Sequence, residues 1–347
     1  MSGNLVAHSA LLASAAMASA FILGFPVHWA LFHWKVFDRP NERSSHSHPT
    51  ARGGGIAVLL AVIFVGPFAV NLTWTLGLVA LSGLLLAVVS FIDDLRSLPQ
   101  LLRFAVHASA ALIALYALSF GRTADLSSEK FAGIAVIGFI WITGYTNAFN
   151  FMDGINGLAG MQIVITGVGT ALVGITAGGA LDHPAIILSL VLAGAGAGFL
   201  PYNFPHARMF LGDVGSAPIG FFLAVFAFWV ARDLGWWLLG AFGLLHANFI
   251  LDTTVTLARR IWIADRWFES HREHFYQRLV RAGKSHSFVT EWECILQIIV
   301  LITVIAAIKM GWPQRIAAAG AVFALWAGLF AFAEFQFKKR SNSRPAS

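Results

Sequence analysis

The sequence predicts an all-α, polytopic membrane protein of about eleven transmembrane helices, with its N-terminus outside and its C-terminus in the cytoplasm. Three observations carry this. Of 347 residues, 58% are hydrophobic and only 12% charged, against about 25% charged in soluble domains; mean hydropathy is +0.73. Apolar runs of roughly 20 residues, the length that crosses ~30 Å of hydrocarbon, recur along the chain. Lys and Arg gather in alternate connections, as the positive-inside rule expects.

The first run, 9–34, has no Lys or Arg ahead of Lys35. The cationic region of a cleaved signal is therefore missing, despite Ala18-Ser19-Ala20, and the run reads as a retained span. Further spans are read at 53–73, 76–92, 101–120, 131–149, 158–179, 184–202, 215–231, 235–258, 291–310 and 314–335, the second and third forming a tight hairpin. Connections facing the cytoplasm, with the C-terminal tail, hold 18 of the 23 Lys and Arg residues; Arg122, Lys130, Arg232, Lys309 and Arg315 remain on the other side. Residues 1–337 read as one membrane domain and 338–347 as a basic tail suited to lipid head groups. The net charge of +6, so distributed, speaks for topology and phosphate-bearing partners, and no nucleic acid is expected. Cys294 stands alone in an apolar run, so no intrachain disulfide forms.

Five polar islands interrupt this pattern, all on the expected cytoplasmic side. The first, 41–55, carries Arg43, Arg52 and two histidines, and ends in Gly53-Gly54-Gly55, whose N–H groups can face an anion. The second is Asp93-Asp94, closing a helix where two carboxylates oppose the macrodipole. Adjacent residues point about 100° apart, so one can meet a metal or phosphate while a basic partner holds the other. The third, Asn147 to Gly160, places Asn147 and Asn150 on one helix face ahead of the Asp153-Gly154-Ile-Asn156-Gly turn. The fourth runs from Pro201 to Ser216; Asp213 between two glycines suits a Mg²⁺-binding carboxylate or a helix cap, while Asn203 and Phe210 suit a base. In the fifth, His271, His274 and Arg278 share a face if the segment is helical, and pyrophosphate fits better than zinc because no third ligand has metal spacing. Asp252, inside a span, is expected to be functional or paired, and His107, His246 and Asn248 to be satisfied interior groups.

In that order, Pro49-Thr-Ala-Arg-Gly-Gly-Gly55, Asp93-Asp94 with Arg103 downstream, Asn147–Gly160, Phe210-Leu-Gly-Asp-Val-Gly-Ser216 and the final His-bearing loop resemble the polyprenyl-phosphate N-acetylhexosamine-1-phosphate transferases, glycosyltransferase family 4. The likeness runs from Arg43 to about Ser287. It implies ten or eleven helices in the bacterial inner membrane, a periplasmic N-terminus, and a cytoplasmic site needing Mg²⁺, with Mn²⁺ as a substitute. By resemblance Asp213 binds Mg²⁺, with Asp93 as a second ligand candidate, and Asp93 and Asp94 do the catalytic and phosphate-handling work. Asn203, Phe210 and Asp153 with Gly154 hold uridine; His271, Arg272 and His274 meet pyrophosphate or sugar; Arg52, Arg103, Asn147, Asn150 and Asn156 complete the substrate-binding set.

The final loop reads His-Arg-Glu-His where the peptidoglycan translocase has consecutive histidines, and so is similar to the short O-antigen-initiating enzymes. Arg103 stands where many relatives have Lys. The reaction implied takes UDP-HexNAc (GlcNAc, or a deoxy relative such as FucNAc or QuiNAc) and undecaprenyl phosphate to the lipid diphosphosugar and UMP, starting O-antigen or related polysaccharide. Membrane lipids are the other partners, and a homodimer is compatible with the chain. The competing class is a transporter or flippase with a path through Asp252, His107 and His246. Against it stand the one-sided polar clusters and the lack of a broken-helix pair in matching halves.

Overall fold

A computed structural model describes residues 2–38, 48–119, 128–263 and 272–342. Among the described residues the chain forms thirteen helices: α1 Ser2–His33, α2 Gly55–Ala69, α3 Trp74–Arg96, α4 Gln100–Ser119, α5 Ser128–Met152, α6 Leu158–Thr176, α7 Pro184–Asn203, α8 Asp213–Leu234, α9 Leu238–Leu245, α10 Ala247–Trp262, α11 Phe275–Arg281, α12 His286–Ile308 and α13 Trp312–Asn342. Each of the eleven apolar runs is helical, and nine are long and apolar enough to span.

Two runs differ from expectation. The second is only the 15-residue α2, about 22 Å long at 1.5 Å per residue, short of a full crossing. Its first two expected residues are instead drawn into strand pairing. The ninth breaks at His246 into α9 and α10, bent by 74°. A break in lipid strands backbone carbonyls that must find donors; the Gln297 side chain of α12 donates to the Leu245 carbonyl there. So one broken span does exist, without a counterpart in the other half among the described residues.

The centre of the bundle is α8, whose apolar window is 94% buried behind α2, α3, α5, α6 and α7. Its neighbours close in through small residues. A Cβ at Gly194 or Gly198 of α7 would sit 2.1 Å from the Ala13 or Met17 carbonyl of α1, the close approach that small-xxx-small patterns permit in membranes. α2 meets α8 the same way, a Cβ at Gly55 falling 2.2 Å from the Gly215 Cα.

Three short strands lie beside the start of α8: β1 Phe37–Asp38, β2 Thr50–Arg52 and β3 Met209–Phe210. β2 pairs antiparallel with β1 and parallel with β3, which sets Arg52 opposite Phe210. Two or three residues are too few to show a strand's alternation, so the helical reading omitted them. The pairing continues past the strands. Gly53 and Gly54 donate to the Phe210 carbonyl (3.2 and 2.8 Å) and Gly55 to Leu211 (2.8 Å). These N–H groups are therefore spent inside the protein, and the anion-facing role expected of them is corrected.

Gly55→Ala should cost about 1–3 kcal/mol by overpacking, because the atom in the way is backbone. Gly77→Ala in α3, where a Cβ meets nothing within 4 Å, should be neutral or gain up to about 1 kcal/mol. Thermal unfolding midpoints of the two variants in detergent check this, and equal midpoints would refute it.

Candidate active site

The site is built on the first turn of α8. Gly212 enters it at φ +75°; a Cβ there would lie 2.9 Å from Gly53 N and 3.0 Å from Asp94 Oδ2. The Asp94 carboxylate is wholly buried and ion-paired to Arg52 Nε at 2.7 Å. It accepts from the N–H groups of Asp213 (3.1 Å) and Val214 (3.0 Å). Helix N-termini leave such donors unpaired, and Asp94 caps them from α3. Three donors thus meet its oxygens, and Asp94 is the aspartate of the pair that a basic partner holds.

Asp93, about 100° round the same helix, faces the other way. It accepts from Leu98 N at 2.5 Å and Arg103 Nη1 at 3.0 Å, and it reaches hydrogen-bond range of Asp213. Asp213 Oδ1 accepts from Arg52 Nη2 (2.9 Å) and Asn150 Nδ2 (3.1 Å), with Arg103 Nη1 3.8 Å from its Oδ2. Asn150 also donates to Ser216 Oγ at 2.8 Å. Arg52 thus bridges Asp94 and Asp213, and Arg103 faces both Asp93 and Asp213.

Asp153 follows directly on α5 and makes no side-chain hydrogen bond among the described residues. Burial, with the nearby Asp213 and Asp94 carboxylates, pushes its pKa up to about 7 against the pull of Arg52. It is the loosest carboxylate of the cluster. At Gly154 a Cβ would strike the Tyr276 hydroxyl at 2.1 Å; that hydroxyl donates to the Phe151 carbonyl at 3.1 Å, drawing the last loop over the turn.

Three asparagines are spoken for. Asn147 donates to Thr143 O (2.7 Å), so its Oδ1 receives His107 Nδ1 (3.0 Å). Asn156 Nδ2 donates to Pro205 O at 3.1 Å. Asn203, 3% exposed, accepts from Gly157 N (2.7 Å) and donates to Met209 O (3.0 Å). It ties the glycine turn to the β3 loop. Phe210 keeps its place beside Arg52 through β3.

The last loop is corrected most. α11 starts only at Phe275, with His274 as its N-cap, so the segment is helical only after His274, whose carbonyl accepts from the Arg278 N–H at 2.9 Å. Asp252 explains why: its carboxylate accepts from Phe275 N (3.1 Å) and Tyr276 N (3.3 Å) and meets His274 Nδ1 (2.9 Å). The intramembrane carboxylate is a cap, and His274 is a buried brace for it. Arg272 lends its carbonyl to Arg281 Nη1 at 3.0 Å. Arg278 is bound by Glu334 and, at 2.6 Å, by Glu273, partners the sequence reading did not pick. His271 lies outside the described residues, as do Arg43 and His46 of the first loop. With Asp252 capping α11 and His107 paired to Asn147, the path through the bilayer that a transporter needs loses two of its three groups.

Among the described residues no group of three or more His, Cys, Asp or Glu closes on one point. The donors at hand are carboxylate oxygens of Asp213 and Asp93, with Asp153 beside them. That set fits Mg²⁺, which takes one or two carboxylates and fills its other positions with water and substrate phosphates.

Removing Asp153's charge should stabilise the empty protein. Its folded pKa lies above the ordinary 3.8, so the folded state loses stability as pH rises from about 4 through 7. Asp153→Asn should raise the thermal midpoint by a few °C at pH 8 and less at pH 5; equal shifts at both would refute it. Asp94→Asn should instead cost about 1–3 kcal/mol at either pH, by pointing a donor at capped N–H groups.

A family model described as Glycosyl transferase family 4 matches residues 76–231. The chain is 31% identical over 283 residues to a decaprenyl-phosphate N-acetylglucosaminephosphotransferase of Mycobacterium leprae, covering 71% of this chain and 70% of the relative. A probable undecaprenyl-phosphate N-acetylglucosaminyl 1-phosphate transferase of Bacillus subtilis is 28% identical over 270 residues, 72% and 71% of the two chains. A phospho-N-acetylmuramoyl-pentapeptide-transferase of Streptococcus pneumoniae is 27% identical over 217 residues, 58% of this chain and 64% of the relative.

Proposed function

The chain belongs to glycosyl transferase family 4, and on that footing we propose that it transfers N-acetylhexosamine-1-phosphate from a UDP-sugar to undecaprenyl phosphate, releasing UMP. The observation that carries the proposal is the pairing of Asp213 and Asp93 with Arg52 and Arg103 at the start of α8. Two phosphate-bearing substrates must meet there, and such a site needs both cations for the anions and a carboxylate for a proton. The names of the relatives make GlcNAc the first donor to test, with FucNAc and QuiNAc as deoxy alternatives. We place the site on the cytoplasmic face of the bacterial inner membrane, serving O-antigen or a related envelope polysaccharide.

In the reaction an oxygen of the lipid phosphate attacks the β-phosphorus of the UDP-sugar. The bond from that phosphorus to the bridging oxygen breaks, and UMP leaves. Asp93 takes the proton from the lipid phosphate, directly and without a phospho-enzyme. Arg103 and Arg52 offset the charge gathered on the phosphates, and Asp153 with Phe210 holds the uridine. Mg²⁺, held by Asp213 with Asp93, would neutralise phosphate oxygens when bound. Asp94 keeps Asp213 in place, and Asn150 with Ser216 orients it.

Purified protein with undecaprenyl phosphate, Mg²⁺ and a panel of UDP-HexNAc donors should release UMP only when the lipid is present. Asp93→Asn should slow release about 10²–10⁴-fold, the usual worth of a general base, with folding intact. Asp213→Asn should abolish it, and chelating the metal should do the same. Release that persists in Asp213→Asn or without lipid would overturn the assignment.

A further inference from the structure

Helices α5, α9, α10, α12 and α13 line an open cavity of about 560 Å³ that contains none of the residues of the site above. Trp141, Trp237, Leu244, Ile308, Trp312 and Phe323 are among its walls, and Arg315 is the one ionisable residue lining it. Its volume falls within the ~300–1,000 Å³ of ligand sites.

The cavity reaches the end of the bundle opposite the aspartates. Arg315 precedes Glu334 on α13 by nineteen residues, about 29 Å of helix and close to the thickness of a bilayer core. Glu334 is tied to Arg278 of α11, and Tyr276 of α11 reaches Phe151 beside Asp153. An acceptor whose phosphate reacts at Asp213 therefore cannot also place that phosphate at Arg315.

Arg315 is held in wait of an anion. One nitrogen donates to the Ile308 carbonyl at 2.6 Å, and its guanidinium lies over the Trp237 ring at 3.9 Å and the Trp312 ring at 5.7 Å. Its Nε is buried with no hydrogen-bond partner. Among the described residues neither Arg315 nor nearby Lys309 has a carboxylate within ion-pair distance. A charge left so beside an apolar cavity, flanked by interface tryptophans, is complementary to a lipid that brings a hydrocarbon chain and an anionic head group.

We propose that this cavity binds an acyl chain of an anionic phospholipid, from the leaflet opposite the catalytic face, with its phosphate on Arg315. The unpaired cation selects an anionic lipid over a zwitterionic one. The site does not depend on the transfer reaction.

The test uses the full chain, purified and stripped of lipid, with dioleoyl phosphatidylglycerol or dioleoyl phosphatidylcholine added. Bound lipid is counted by native mass spectrometry and the thermal midpoint is followed. Phosphatidylglycerol should bind at one per chain, raise the midpoint by several °C, and bind at least about tenfold more tightly than phosphatidylcholine. Arg315→Gln should erase that preference and Arg315→Lys should keep it. Gly243→Leu should lose the bound lipid; it fills the cavity from a position where a Cβ meets nothing within 4 Å. An Arg315→Gln protein that still prefers phosphatidylglycerol would overturn the proposal. So would displacement of phosphatidylglycerol by undecaprenyl phosphate, which would give the cavity to the acceptor.

Discussion

The bridge that Arg52 makes between Asp94 and Asp213 holds the site together. Asp94 is wholly buried, and a buried carboxylate is tolerated only when paired and fully hydrogen-bonded. Here one guanidinium and two backbone N–H groups do that. The same contacts join three distant pieces of chain: the strand at 50–52, the end of α3 and the start of α8. Asp94 caps the N–H of Asp213, and Arg52 lies beside the Asp213 carboxylate.

Such a knot can form only where the backbones come close. Gly55 against Gly215, and Gly212 against Gly53 and Asp94, give that proximity. The β2–β3 pairing supplies the register that sets Arg52 next to Phe210. Membrane packing gains little from apolar burial, since lipid is as apolar as the helix surfaces, so small residues and interhelical hydrogen bonds take over. Gln297 at the α9–α10 break and Asp252 over α11 follow the same rule at larger scale: each irregular backbone segment has a side chain from elsewhere to receive it.

The last loop is therefore a clamp as much as a ligand-binding segment. Its Glu273 and Arg278 join Glu334 of α13, its His274 braces Asp252, and its Tyr276 touches the turn that carries Asp153. A loop anchored in this way covers the turn that carries Asp153, whose side chain has no hydrogen-bond partner among the described residues. His274 and Asn203 also brace the frame around the site, His274 on Asp252 and Asn203 between Gly157 and Met209.

Hydropathy and charge placement alone determined that the chain is a helical membrane protein, where its eleven apolar runs lie, and where five polar islands interrupt them. Those properties are local: twenty apolar residues have no other stable use, and a carboxylate at membrane depth needs a reason wherever it occurs. Only the tertiary structure decided which aspartate of the pair caps α8 and which faces Arg103 and Asp213. It also decided that the ninth run is broken and that three glycine N–H groups are spent on the Phe210 and Leu211 carbonyls. The physical reason is that each of these turns on a partner far along the chain, Asp94 with Asp213, Gly53 with Phe210 or Leu245 with Gln297. Composition and spacing mark a residue as polar and costly to bury; they do not carry the identity of the group that offsets the cost.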